Sequence, residues 1–213
     1  MTFVSDPLRP NREIALRMIR QMRRDHVENA RRKVRDTLRR SGCSYTQTVG
    51  IYGLLTSNAE RDIRSAIAKS WGCSRLRVVL NSPGGLGGVG ERLADDLREM
   101  IKAGVRVETH VERSCCSAAV LPFVVGQERS ATKRAFFVIH QRALERDYAK
   151  RLHPSNLRKL ADQLDKRDNE DLEMLEARGV RLPTPWQAAF RRGEDIKLDA
   201  LDAFRVGLVH VIR

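Results

Sequence analysis

Residues 76–85 read Leu-Arg-Val-Val-Leu-Asn-Ser-Pro-Gly-Gly, an apolar run that stops in a turn bearing one proline and two glycines. The run over 76–81 is rich in β-branched and apolar residues and predicts a strand. Gly84 and Gly85 then let the backbone come close to another molecule. Two roles fit such a turn. It is either a tight strand-to-helix connection, or a loop whose exposed amides bind an oxyanion or an extended peptide. Gly87, Gly88 and Gly90 prolong the stretch, but no Gly-Lys-Ser/Thr follows, so it is not a phosphate loop.

Working outward, strand-like and helix-like segments alternate, which predicts an α/β fold with a largely parallel sheet. The other strand candidates are 49–55, 105–111, 136–141 and 208–212. Helical segments cover 59–70, 89–103 and 117–125, each long enough for a crossover between parallel strands. A longer helix is expected over 156–178, entered through Ser155 and closed by Gly179. Its middle, 165–171, is highly charged, a pattern that suits an element projecting toward another subunit. Thr184-Pro185 opens a further helix, and Asp199 caps a last one that stops at Gly207. Ahead of the alternating region, residues 11–40 place apolar side chains at three- and four-residue steps and predict one or two amphipathic helices. The chain therefore divides into a basic helical extension, 1–48, and an α/β domain, 49–213.

Composition narrows the function classes. The formal charge is +13, and residues 1–48 hold twelve Arg or Lys against five Asp or Glu. That arm suits an acidic partner such as nucleic acid or a scaffold, contacted through residues 1–40, or it is a helix whose arginine face is solvated. The longest apolar run, 118–125, is too short to span a bilayer. With no secretion signal visible, a soluble, cytoplasmic protein without membrane contact is expected. Cys43, Cys73, Cys115 and Cys116 have neither zinc spacing nor the density of a disulfide scaffold, so reduced thiols and no metal or cofactor are expected.

Three further residues carry candidate chemistry. Ser117 follows Arg-Ser-Cys-Cys and opens an apolar helix, where helix-end potential favours an oxyanion. It is also a natural N-cap, and Cys116 is a rival nucleophile. His140 ends a strand, the end that faces a cleft in parallel sheets. Asp195 precedes the last helix and alone passes for a loop carboxylate.

Together, these pieces resemble the Clp protease proteolytic subunit, a serine peptidase of the wider ClpP/crotonase fold. The family's strand followed by Asn-Ser-Pro-Gly-Gly is matched at 81–85, and its Ile-His-Gln strand end at Ile139, His140 and Gln141. Its small-residue stretch ending in serine is matched in shape by Cys115-Cys116-Ser117. Its acidic turn, short helix and Gly-Leu-Val are echoed from Glu194-Asp195 to Val209. The resemblance spans about 49–212 and implies a repeated β-β-α superhelix with a projecting handle helix. It further implies Ser117 as nucleophile, His140 as general base, Asp195 as orienting carboxylate, the Gly85 and Ala118 amides as oxyanion donors, and Gly84 and Gly85 as substrate-binding residues. The implied partners are a peptide or protein substrate, copies of the chain in a homo-oligomeric ring, and an AAA+ ATPase.

The chain departs from the family pattern at Arg113, at Cys115-Cys116, and over 142–151, which is charged and reads as helical in place of a glycine-rich strand. Those departures and the basic arm suit a phage or prophage head protease of the same fold, or a catalytically silent subunit. A crotonase-type acyl-CoA enzyme is disfavoured by the contexts of Ser117 and His140.

Overall fold

The computed structural model describes residues 45–142 and 153–213. The helical arm expected over 11–40, and all but Arg142 of the charged stretch expected over 142–151, lie outside the described residues. Among the described residues the chain runs β1 (Thr46–Tyr52), α1 (Ser57–Lys69), β2 (Arg75–Ser82), α2 (Gly87–Lys102) and β3 (Arg106–Cys116). A 3-10 turn (Ser117–Ala119), α3 (Val120–Val125), β4 (Glu128–Ala131) and β5 (Phe136–Ile139) follow. The C-terminal part is α4 (Pro154–Ala177), α5 (Thr184–Arg191), β6 (Ile196–Asp199), α6 (Ala200–Arg205) and β7 (Val211–Ile212).

The strands form one sheet with parallel order β1-β2-β3-β4-β7, as the strand–helix alternation predicts. Val78, Val79 and Leu80 are all buried, so β2 is covered on both faces, the environment that an unbroken apolar run requires. Val89, Leu93, Leu97 and Met100 line the inner side of α2 at helical spacing and pack into the same core.

β3 decides where the site lies. It pairs β4 over Glu108–Val111 and β5 over Ser114–Cys116. Between these stretches the register against β2 slips, from Leu80↔Val111 to Ser82↔Cys115. Four steps on β3 thus face two on β2, a bulge that bends the strand and re-aims its end. The sequence predicted β3 only to 111; its last five residues are polar or cysteine and carry no alternation.

β5 branches from this bent end, and β6 joins it antiparallel, with Phe136↔Asp199 through Ile139↔Ile196. Neither β4 nor β6 was expected, because Glu-Arg-Ser-Ala and Ile-Lys-Leu-Asp carry at most two apolar residues each, whereas the equally short β5 is the unbroken apolar run Phe-Phe-Val-Ile. Asp195 consequently precedes a strand, not the last helix. The helix expected at 117–125 is divided into the 3-10 turn and α3. Helix α4 begins two residues before the expected 156 and is capped by His153, which accepts from the Ser155 amide at 3.4 Å. Asp199 caps α6 as expected, accepting from the Asp202 amide at 2.7 Å.

Arg129 is buried with no carboxylate partner. Its guanidinium donates to the carbonyls of Val124, Arg178, Gly207 and Leu208, joining the C-terminal ends of α3, α4 and α6 to β4. Burial lowers its pKa to about 10.

Candidate functional site

The bent end of β3 delivers Ser117 into a strand-to-helix elbow. Its φ is 54°, the only left-handed non-glycine residue among those described. A serine in that region costs on the order of 1–3 kcal/mol and persists only where its surroundings over-determine it. Those surroundings are Cys115 and Cys116, paired with β5, and Ala118 and Ala119, buried at the start of the helical turn. Phe123 of α3 packs on Phe137 of β5 with ring centroids 5.5 Å apart, fixing the helix on the strand. Ser117 is not an N-cap: neither the 3-10 turn nor α3 has a side-chain cap, and its hydroxyl makes no hydrogen bond among the described residues.

Gly84 presses on the elbow. A Cβ there would lie 2.6 Å from both the Ser117 Cβ and the Cys116 carbonyl, and its φ of 94° favours glycine independently. The loop is held by Leu55, whose amide donates to the Gly84 carbonyl at 2.7 Å and whose carbonyl accepts the Leu86 amide at 2.9 Å. These two bonds bracket Gly85 in a parallel bridge. Such a bridge leaves Gly85's own N–H and C=O turned away from Leu55, and Gly85 lines the cleft in front of Ser117. Ser82 steadies the turn, accepting the Gly84 amide at 3.1 Å and donating to the Gly53 carbonyl at 2.6 Å.

His140 follows β5 and lines the same cleft of about 460 Å³ as Ser117, Gly85 and Ala118. Its Nδ1 lies 2.6 Å from the Gln141 carbonyl. A carbonyl oxygen can only accept, so Nδ1 carries a proton, and in the neutral imidazole Nε2 is then the nitrogen with the lone pair. No hydrogen bond joins it to Ser117. Leu160, Leu164, Leu172 and Leu175 of α4, with Phe190 of α5, give the cleft an apolar wall.

Asp195 is close in the backbone but its side chain is elsewhere. Extending the β5–β6 register one step beyond Ile139↔Ile196 sets Asp195 opposite His140. Facing residues of an antiparallel pair have Cβ atoms about 4.5–5.5 Å apart. The carboxylate is exposed, makes no hydrogen bond to His140, and lines a separate groove with Trp186 and Lys197.

The cysteines do not compete with Ser117. Burial pushes the Cys115 thiol well above its ordinary value and raises Cys116 as well, so neither is poised as a thiolate. Among the described residues no cluster of His, Cys, Asp and Glu is arranged to hold a metal, and no helix is long and apolar enough to cross a membrane.

Sequence reasoning missed the ionic edge of the cleft. The Arg142 guanidinium lies 2.8 Å from Glu91 and 2.7 Å from Asp171, and the Arg142 amide donates to Asp168 at 3.0 Å. Asp168 is 4% exposed, so part of the charged middle of α4 faces this domain, not solvent or another subunit. The available signal was an arginine directly after Ile-His-Gln together with four carboxylates over residues 165–171 of α4.

No family profile and no curated protein matches the sequence. Among solved structures, a ClpP1 mutant from Listeria monocytogenes superposes with a TM-score of 0.66 at 16% identity, covering 78% of this chain and 90% of that one. At that identity the likeness establishes architecture alone. The chain has a ClpP-like α/β fold with a mostly parallel sheet.

Proposed function

We propose that the protein is a serine endopeptidase in which Ser117 attacks the peptide carbonyl and His140 is the general base. The left-handed Ser117 elbow, clasped by Gly84 and opening on the cleft that holds His140, carries this reading. As the Ser117 Oγ bonds to the carbonyl carbon, its proton passes to Nε2 of His140. The carbonyl π electrons move onto oxygen, where the Gly85 and Ala118 amides stabilise the charge. Collapse expels the amine, which takes the proton from Nε2; water then repeats the sequence and releases the acid. No metal or cofactor enters this chemistry.

Asp195 is the third member of the triad in this reading, supported by its register opposite His140. A side-chain rotation would exchange the Gln141 carbonyl for the Asp195 carboxylate at Nδ1, strengthening the base. Assembly into a homo-oligomeric ring is the favoured context for that change, because Phe136, Leu201 and Phe204 are each about half exposed (50, 48 and 48%), and an ATPase feeding the ring is implied by the family resemblance alone. A head-protease role, with the basic arm held on nucleic acid or a scaffold, is the second reading. The concentration of positive charge in residues 1–48 favours it.

Hydrolysis of unfolded casein and of fluorogenic peptides tests the proposal. Ser117→Ala and His140→Ala are expected to lower turnover by about 10³-fold or more. Asp195→Ala should lower it by a smaller but large factor, and Cys116→Ala should leave it measurable. Turnover that survives Ser117→Ala would overturn the assignment.

A further inference from the structure

The carboxylates at the cleft edge are not equivalent. Asp171 is paired with the Arg142 guanidinium, and Glu91 is shared by Arg142 and Arg167 at 2.8 and 3.0 Å. Asp168 instead accepts a main-chain N–H, that of Arg142, two residues past the imidazole. Its contact to the Arg142 guanidinium is long, 3.9 Å. A buried carboxylate spent on a backbone amide fixes chain position more than it neutralises a side chain. The amide it holds belongs to 140–142, the short tether between β5 and the cleft.

We propose that Asp168 is a positioning residue for His140: its buried carboxylate anchors the His140–Arg142 segment to α4. This inference rests on the reading of His140 as the base. Several charged groups share the region. Asp165, Arg167 and Asp171 come from α4, Glu91 from α2, Arg142 from the segment itself, and Asp195 directly precedes β6, one step past the Ile139↔Ile196 pair. Asp168 is the one that is both 4% exposed and bonded to the main chain beside the imidazole. Burial raises the Asp168 carboxyl above its ordinary value, and the Arg142 amide and guanidinium oppose that rise.

Asp168→Asn keeps an acceptor oxygen for the Arg142 amide and removes the charge; Asp168→Ala removes both. Two readouts separate the contributions: hydrogen exchange at the Arg142 amide, and the rate of Ser117 labelling by a fluorophosphonate. Exchange at Arg142 should quicken about tenfold or more in Asp168→Ala and stay near the wild-type rate in Asp168→Asn. Labelling should slow about tenfold to a hundredfold in Asp168→Ala, with most of that rate restored in Asp168→Asn. A purely structural Asp168 would lower thermal stability and leave the labelling rate of folded Asp168→Ala where it is in the wild type; that result overturns the proposal. If Asp168→Ala does not fold, Asp168→Ser, whose hydroxyl is too short to reach the Arg142 amide, is read in the same way. Absence of label on the wild type would refute the serine-peptidase reading, whereas exchange at the Arg142 amide tests the anchor with or without it.

Discussion

Ser117 occupies a backbone conformation that serine rarely adopts, and Gly84 is the contact that makes it tolerable. Gly84→Ala would set a methyl group 2.6 Å from the Ser117 Cβ and force an unfavourable φ at the same time. We expect it to cost about 1–3 kcal/mol and to abolish labelling of Ser117. Thermal melts and labelling on the same preparation check this; a stable, fully labelled Gly84→Ala protein would refute the packing argument. Much of this was legible in the sequence. Asn81 to Gly85 announces a close backbone approach, and Ser117 and His140 stand out through what surrounds them. The hydrogen-bond state of His140 was not legible, because a single residue's rotamer decides whether Nδ1 meets the Gln141 carbonyl or Asp195. Asp168 was also hidden: a carboxylate amid Asp165, Lys166, Arg167 and Glu170 reads as solvated until its burial is known.

The seam between β3 and β4 carries two predictions. Arg129 satisfies four carbonyl oxygens at the ends of three helices, so Arg129→Met would leave several buried acceptors without donors. Each unsatisfied group costs about 1–3 kcal/mol, and a loss of about 3 kcal/mol or more is expected by urea denaturation. A change below about 1 kcal/mol would show that water replaces the guanidinium. On the same seam, His110 Nδ1 lies 2.9 Å from the Ser130 hydroxyl, and His210 Nδ1 accepts the Arg129 amide at 3.3 Å. Burial, the largest cause, lowers both imidazoles below 6.5, with help from Arg77 and Arg213 at His110 and from Arg129 at His210. The unfolded chain therefore binds protons first as pH falls. The stability these histidines contribute is present above about pH 6.5 and is lost as pH drops through their folded values. Melting temperature should fall over that window, and less steeply in His110→Gln; identical slopes would exclude His110. No sign of this seam is legible in the sequence, because four residues of β4 offer no periodicity and a lone buried arginine resembles any other basic residue.

Across the molecule, the bulge in β3 and the antiparallel β5–β6 pair bring together residues far apart in the chain. Gly85, Ser117 and His140 share one cleft, and Asp195 lies one step beyond the Ile139↔Ile196 pair that ends the β5–β6 ladder. The strand–helix alternation foretold the parallel sheet but not its branching, which depends on where β3 changes partner. In this account the isolated domain has its nucleophile elbow formed and its orienting carboxylate turned aside. Sedimentation velocity should therefore find an oligomer under conditions where peptide turnover is highest; full turnover by a monomer would contradict the link between assembly and the Asp195 rotation. The central claim is that Ser117 is a nucleophile activated by His140, and its most direct test is fluorophosphonate labelling followed by peptide mapping. The account predicts a single adduct on Ser117, absent from Ser117→Ala and severely slowed in His140→Ala. A folded, assembled protein that takes no label, or takes it elsewhere, would contradict it.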